Sequence, residues 1–326
     1  MPLLLTKDDV VRVLDMRECI DVVEKAFAEL ASGTAVLPLR IGITPPDGIS
    51  LYMPAYLKQM GALACKVVTV YKNNPTRHNL PTTIGKVLLQ DPATGEVTCI
   101  MDGGYLTAVR TGAVSGVATK YLARTDKGQV AGILGAGVQA KMQLWAMAIT
   151  RELSQAYVYD VSADALSAFI REMSAKLGLE IRPADSPAQI LAKADIVCTA
   201  SSSSTPLFDG SLVRPGTHIN GIGSHSPGAR ELDTAIIRRA KVVGDSLEAC
   251  LKEAGDIMIP LQEGAISQTH IYAELGEIVL GRKPARANAQ EITLFKSNGL
   301  AIQDAATAKL VYDRARKAGI GQDVVL

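Results

Sequence analysis

The 326-residue sequence predicts an α/β protein in which a doubly wound parallel sheet is inserted into a discontinuous, β-rich α+β domain. Three observations carry this expectation. Strand and helix patterns alternate from Gln129 to about residue 244. Residues 37–101 instead read as strands broken by turn residues. A last helix, Asp304 to Lys317, lies beyond the alternation and is expected to pack back on the N-terminal region. The expected division is residues 1–120 with 301–326 for one domain and 121–300 for the other.

Taken in order, Thr6 and Asp9 form a capping-box pattern that opens a short helix. A second helix, Glu18 to Leu30, carries Ile20, Val23, Phe27 and Leu30 at helical spacing and closes at Gly33. Strands are expected at Arg40 to Thr44, Ser50 to Pro54, Ala62 to Tyr71 and Thr82 to Leu89. Asp91 to Gly95 turns the chain, and Val97 to Met101 answers as a hairpin partner. Leu106 to Leu122 is a helix of small residues, and Lys127-Gly128 separates it from the next strand.

The second half is organised by Gln129 to Met142, QVAGILGAGVQAKM. Apolar residues from Val130 to Leu134 give way to Gly135, Gly137 and Ala140, a G-x-G-x-x-A turn between a buried strand and a helix. The first glycine makes the tight turn, and the second lets the backbone approach a pyrophosphate at the positive end of the helix. A strand at Ala156 to Tyr159 comes next and ends in Asp160, roughly 20 residues on, where a carboxylate meets ribose hydroxyls. Further strands fall near 180–182, 195–200, 217–222 and 240–244, with Ile292 to Phe295 as another, and helices at Ala163 to Lys176 and Pro187 to Ala192. The order of strand, turn, helix, strand and acid points to dinucleotide binding. No Arg or Lys follows Asp160 in Val161 to Asp164, which favours NAD and leaves NADP as the alternative.

Composition bounds the partners. Hydrophobic residues make up 48% and charged residues 21%, as in ordinary globular chains, and the net charge of +1 gives no attraction for nucleic acid or an acidic membrane. Five scattered cysteines without a C-x-x-C pair argue for reduced thiols in a cytoplasmic protein, with no zinc site. Met1 to Leu5 is too short for a signal peptide, and no apolar run reaches about 18 residues. The four histidines have no ligand spacing, so no metal is expected.

Three cations stand where their neighbours are expected to be buried. Arg110 is the only charge in Gly104 to Thr119, on a helix face with Leu106, Val114 and Val117. Lys66 is alone in Gly61 to Tyr71, aligned with Ala62, Ala64, Val68 and Val70. Arg40 sits in VLPLRIGI, again alone. Desolvating such charges without partners costs several kcal/mol each, by the usual order of magnitude, so they should converge on an anion, and a substrate carboxylate is the economical one. A desolvated Lys66 could also exchange protons with substrate. The loop Gly221 to Asp233 follows a strand and carries His225, a general acid or base, while Glu231 and Asp233 read as capping or structural acids.

These stretches resemble the ornithine cyclodeaminase/mu-crystallin family in four ordered places. They are Leu106 to Ala113 with Arg110, Gly135 to Gln139, Ser226 to Asp233, and Phe295 to Asp304. The resemblance covers essentially the whole chain. It implies a Rossmann domain inside a substrate-binding and dimerisation domain, a homodimer, and NAD(P) chemistry on a small amino, imino or keto acid. Substrate residues then fall on Arg40, Lys66 and Arg110, with Asn298 beside them. Cofactor contacts fall on Thr82, Arg110, Gly135, Gly137, Val138, Gln139, Asp160, Thr199 and Ser297. Ornithine cyclodeaminases carry an aspartate where this chain has His225, and an imidazole supplies no fixed negative charge for ornithine's second ammonium. Lys296, where cyclodeaminases and alanine dehydrogenases often have an acid, resembles the ketimine reductases and adds a positive charge. The resemblance therefore implies an oxidoreductase acting on the C–N bond, of the alanine dehydrogenase or ketimine reductase type. A cyclodeaminase and a crystallin-like binding protein are the alternatives.

Overall fold

The computed structural model describes residues 1–325. In chain order the elements are β1 (Leu3–Leu5), α1 (Lys7–Val13), α2 (Met16–Ala31), β2 (Ala35–Val36), β3 (Ile41–Ile43), β4 (Ile49–Leu57), β5 (Ala62–Val70), α3 (Asn74–Arg77), β6 (Thr83–Gln90), β7 (Val97–Asp102) and α4 (Gly103–Leu122). Next come β8 (Gln129–Leu134), α5 (Val138–Thr150), β9 (Leu153–Tyr159), α6 (Ala163–Leu177), β10 (Ile181–Pro183), α7 (Pro187–Lys193), β11 (Ile196–Thr199), β12 (His218–Gly221), α8 (Thr234–Arg239) and β13 (Lys241–Gly244). The chain ends with α9 (Leu247–Glu253), α10 (Gly255–Gln262), β14 (Ile271–Glu274), α11 (Leu275–Val279), β15 (Thr293–Lys296), α12 (Ala301–Ala318) and β16 (Gln322–Asp323). Two compact units emerge, residues 1–111 with the segment from Leu300 onward, and Gly112–Gly299.

In the first unit β4 to β7 form an antiparallel meander, and β1 extends it by pairing in parallel with β7. Alternate residues bury one face of the sheet: Met53, Ala55 and Leu57 on β4, Ala62, Ala64 and Lys66 on β5, Val87 and Leu89 on β6. Helix α12 lies on β4, β5 and β6 and against α2. Its Ala301, Ala305 and Ala308 allow close approach, and α2 contributes Cys19, Val23 and Phe27, all fully buried. Burying a side chain the size of Phe27 contributes about 1.5–3 kcal/mol.

Several boundaries differ from the sequence expectation, for local reasons. Helix α4 starts at Gly103, because the Asp102 carboxylate accepts the Tyr105 N–H and Gly103 lies against Gly85, where a Cβ would come within 2.7 Å of backbone. Helix α12 starts at Ala301, so Asp304 stands inside its first turn. Strand β3 is shorter than expected and leaves Arg40 outside it. Leu39, Ile41 and Ile43 are each more than half exposed, so the expectation that apolar neighbours bury Arg40 fails within the chain.

The second unit is a parallel sheet in the order β10-β9-β8-β11-β12-β15-β13-β14. One core layer packs Ile190, Ile236 and Ile257 on the sheet and the other Leu144, Met147 and Phe169, so helices cover both faces. Strand order reverses between β8 and β11, and ligands of such sheets bind at the carboxyl ends beside that reversal. Strand β14 and helices α9 to α11 were not resolved from sequence. They are short, and Pro260 lies inside α10. Among the described residues, no helix is long and apolar enough to cross a membrane.

Candidate functional site

A cavity of about 630 Å³ opens at the strand-order reversal of the second unit. Gly135, Gly137, Val138, Gln139, Asp160 and Ser201 are among its walls. Gly135 has φ +110°, and a Cβ there would come within 2.5 Å of the Ala200 carbonyl oxygen, so only glycine fits the turn. A Cβ on Gly137 would meet nothing within 4 Å and would project into open space. Gly137 is the N-cap of α5 and supplies no side-chain cap, so the first amides of a 13-residue helix are open to an anion.

Asp160 stands just past β9, where its Oδ2 accepts the Ala136 N–H at 2.7 Å and its Oδ1 the Ser162 N–H at 2.8 Å. The carboxylate is thereby locked to the glycine turn. Among the described residues that line the cavity there is no cation, and Val161 beside Asp160 is exposed. These residues fit the adenosine and pyrophosphate of NAD. Thr199 ends β11 and is buried. The next loop is held by Glu231, whose Oε1 accepts both the N–H and the hydroxyl of Ser201 at 2.7 and 2.6 Å.

In the first unit Lys66 and Arg110 do converge, on an anion that belongs to the protein. Lys66 Nζ lies 2.7 Å from Asp304 Oδ2, and Arg110 Nε donates to Asp304 Oδ1 at 2.9 Å. Arg110 Nη1 also donates to Gln303 Oε1 at 2.5 Å. All three charged side chains are buried. The expectation is an anion, with a substrate carboxylate as the economical one; the anion found between the two is Asp304. The same reasoning applied to α12 finds Asp304, because it is the only charge between Asn298 and Ala308 on a face of alanines.

Among the described residues, Lys66 and Arg110 set two positive charges against the one carboxylate of Asp304. Burial pushes the Lys66 ammonium down to about 8, and the neighbouring Arg110 and, more weakly, Arg40 push the same way, while Asp304 opposes them. Arg40 is half-buried and near enough to be felt at Lys66. Thr82 sits just before β6, and its carbonyl accepts the Tyr71 N–H at 2.8 Å.

In the second unit, His225 is exposed on the loop after β12, with Nδ1 3.1 Å from the Gly223 carbonyl oxygen. The loop beneath it is pinned. Glu231 Oε2 accepts the Gly223 N–H at 2.8 Å, Asp256 Oδ1 accepts the N–H groups of Glu231 and Leu232, and Lys296 Nζ donates to the Ser224 carbonyl at 2.5 Å. Lys296 is also paired with Asp256. It therefore adds no net positive charge, contrary to the sequence reading. Asp233 caps α8, and Glu231, whose carboxyl is raised by burial, works structurally; both match their expected roles.

Asp245, not singled out from sequence, gathers the turn after β15. Its Oδ2 accepts the Ser297 hydroxyl at 3.2 Å and the N–H groups of Asn298 and Gly299 at 2.6 and 2.7 Å. Asn298 Nδ2 points to Asp245 Oδ1 and Cys250 Sγ, at 3.4 Å each.

Comparison with known proteins identifies the family and the fold. The family model described as ornithine cyclodeaminase/mu-crystallin family matches residues 1–319. An alanine dehydrogenase of Archaeoglobus fulgidus is 36% identical over 322 residues, covering 99% of this chain and 98% of that protein. The structure of Thermococcus litoralis Δ1-pyrroline-2-carboxylate reductase in complex with NADH and L-proline superposes with a TM-score of 0.95 at 49% identity, covering 99% of this chain and all of the other. An archaeal alanine dehydrogenase dimer with bound NAD superposes at 0.94 with 35% identity, over all of this chain and 99% of that one. With one unit interrupting the other in sequence, a glycine turn bound to Asp160 and a buried Lys66–Asp304–Arg110 cluster, the chain belongs to the ornithine cyclodeaminase/mu-crystallin family.

Proposed function

We propose that the protein is an NADH-dependent reductase of small cyclic α-imino acids, with Δ1-pyrroline-2-carboxylate as the first substrate to test and L-proline as its product. The observation that carries this reading is the excess of cation over anion around Asp304. Arg40 and Arg110 would hold the substrate carboxylate, as guanidinium forks match its two oxygens. Lys66 has a depressed proton affinity and would donate near the imine. The nicotinamide supplies a hydride to Cα when bound, and the nitrogen takes one proton from the protein.

The division of labour follows the two units. The first would hold substrate through Arg40, Lys66 and Arg110. The second would hold the dinucleotide through Gly135, Gly137, Val138, Gln139, Asp160, Thr199 and Ser297. Asn298 and His225 would serve the substrate end, with His225 or a water it holds as the alternative source of that one proton. The 49%-identical reductase that binds NADH and L-proline supports the imine reading over oxidative deamination of alanine. The lack of an acid at position 225 weighs against cyclodeamination of ornithine.

A homodimer in the cytoplasm completes the proposal. Exposed Val36, Leu39, Ile41 and Ile43 form an apolar edge in the first unit, and the archaeal alanine dehydrogenase relative is a dimer. The five unpaired thiols suit a reducing compartment. The deciding assay follows NADH absorbance with Δ1-pyrroline-2-carboxylate and, in parallel, with pyruvate plus ammonia. Oxidation with the cyclic imine supports the proposal. Oxidation with pyruvate and ammonia alone, or proline formed from ornithine at constant cofactor, overturns it.

A further inference from the structure

Asp304 lies outside the residues to which the resemblance assigns a role, yet its two oxygens divide between the cations that would meet substrate. Oδ1 receives Arg110 Nε at 2.9 Å and Oδ2 lies 2.7 Å from Lys66 Nζ, with Asp304 only 1% exposed. Gln303, one residue back on α12, takes Arg110 Nη1. Two consecutive residues of one helix thus hold the guanidinium at two of its nitrogens, and the same carboxylate lies against the ammonium.

We propose that Asp304 is a positioning residue. It sets the angle at which Arg110 presents its guanidinium to a carboxylate, and it keeps Lys66 protonated as the proton donor for an imine nitrogen. This rests on the reductase reading given above.

The neighbourhood makes Asp304 decisive. Around Lys66 the charged groups are Arg110 from α4, Arg40 from the segment before β3 and Asp304 from α12. Across the sheet Lys66 pairs with Met53 on β4 and Val87 on β6, neither of which titrates. On α2, Cys19 is the titratable group felt from Arg110 and Asp304, and burial raises its thiol to about 12, so it stays neutral. Among the described groups that act on Lys66, Asp304 is the anion, and both arginines work against the ammonium. Without it, Lys66 would deprotonate at lower pH and lose the proton it must give.

Asp304→Asn tests this. In the full-length protein carrying 13Cε-lysine, the Lys66 resonance is identified by its loss in Lys66→Met, and its titration midpoint is compared. The midpoint is expected to fall by about one pH unit or more in Asp304→Asn, since an opposite charge at this distance favours the charged form by that much. The alkaline limb of kcat/KM for NADH-dependent imine reduction should move down with it. An unchanged or raised midpoint overturns the proposal. If no imine is reduced, the titration still reads Asp304 on Lys66, so the two failures are separable. Should Asp304→Asn not fold, Asp304→Glu carries the test. Its charge is kept but its reach is longer, so the midpoint should hold while kcat/KM falls roughly tenfold from misplaced cations. Wild-type kcat/KM in Asp304→Glu would also overturn it.

Discussion

Lys296 Nζ lies 2.8 Å from Asp256 Oδ2, and neither side chain retains any exposure to solvent. The pair joins the end of β15 to the start of α10 and fastens both to the loop that carries His225. Replacing Lys296 by Met leaves a buried carboxylate with two backbone N–H partners and no counter-charge. Loss of one partner of such a pair costs about 3–5 kcal/mol. Urea denaturation of Lys296→Met should show that loss, and Lys296→Met with Asp256→Asn should recover part of it. Wild-type stability in the single variant would contradict the pairing.

The two glycines of the nucleotide turn should fail in different ways. Gly135→Ala puts a Cβ against the Ala200 carbonyl at a positive φ, and is expected to cost roughly 1–3 kcal/mol from backbone strain alone. Gly137→Ala meets open space and should fold normally, yet its methyl would occupy the approach of a pyrophosphate. Thermal melting together with NADH fluorescence titration separates the two. Equal effects of both substitutions on melting would count against the assignment.

Asp160 should decide the choice of dinucleotide. Removing its carboxylate in Asp160→Ala frees the Ala136 N–H and, on the proposed reading, would deprive ribose hydroxyls of an acceptor. NADH affinity is expected to drop by roughly tenfold, the worth of one charge-assisted bond, with NADPH affected less. Parallel titrations of wild type and variant check this, and a wild type that prefers NADPH would refute it.

Acid should destabilise the protein through His218. Its ring is fully buried, with Nδ1 3.0 Å from Thr293 Oγ1. Burial, reinforced by Arg286, pushes it from 6.5 down to about 3. The unfolded chain therefore binds the proton first. Stability rises with pH between these values, is complete above the upper one, and falls as pH drops toward about 3. The loss should amount to a few kcal/mol at the acid end, an order of magnitude set by about 1.4 kcal/mol per pH unit. Denaturation midpoints against pH should be flatter in His218→Asn over that window. An equally steep fall in the variant would assign the effect elsewhere.

Much of the fold was legible because its signals are local. The run QVAGIL, the glycine turn and Asp160 lie within one strand-helix-strand unit, and each obeys a short-range constraint. Lys66 and Arg110 were also legible, as charges among apolar neighbours. Their partner was harder, since Asp304 lies 194 residues beyond Arg110 and an acid in a first helical turn reads as a dipole effect. Lys296 misled for the same reason: Asp256 is 40 residues away and cancels its charge. Arg40 shows the opposite failure. Its apolar flanks suggested burial, but Leu39, Ile41 and Ile43 face outward, and a sequence pattern does not say whether an apolar edge is covered by its own chain.

Helices α6, α7, α8 and α9 each begin on a Ser or Asp whose side chain caps the first turn, whereas α5 begins on Gly137 with none. An anionic ligand bound at that end would take the place of the missing cap, on a helix that is already formed. Hydrogen exchange at the amides of Val138 and Gln139 should then slow on adding dinucleotide, which makes these two positions a direct gauge of loading that needs no turnover.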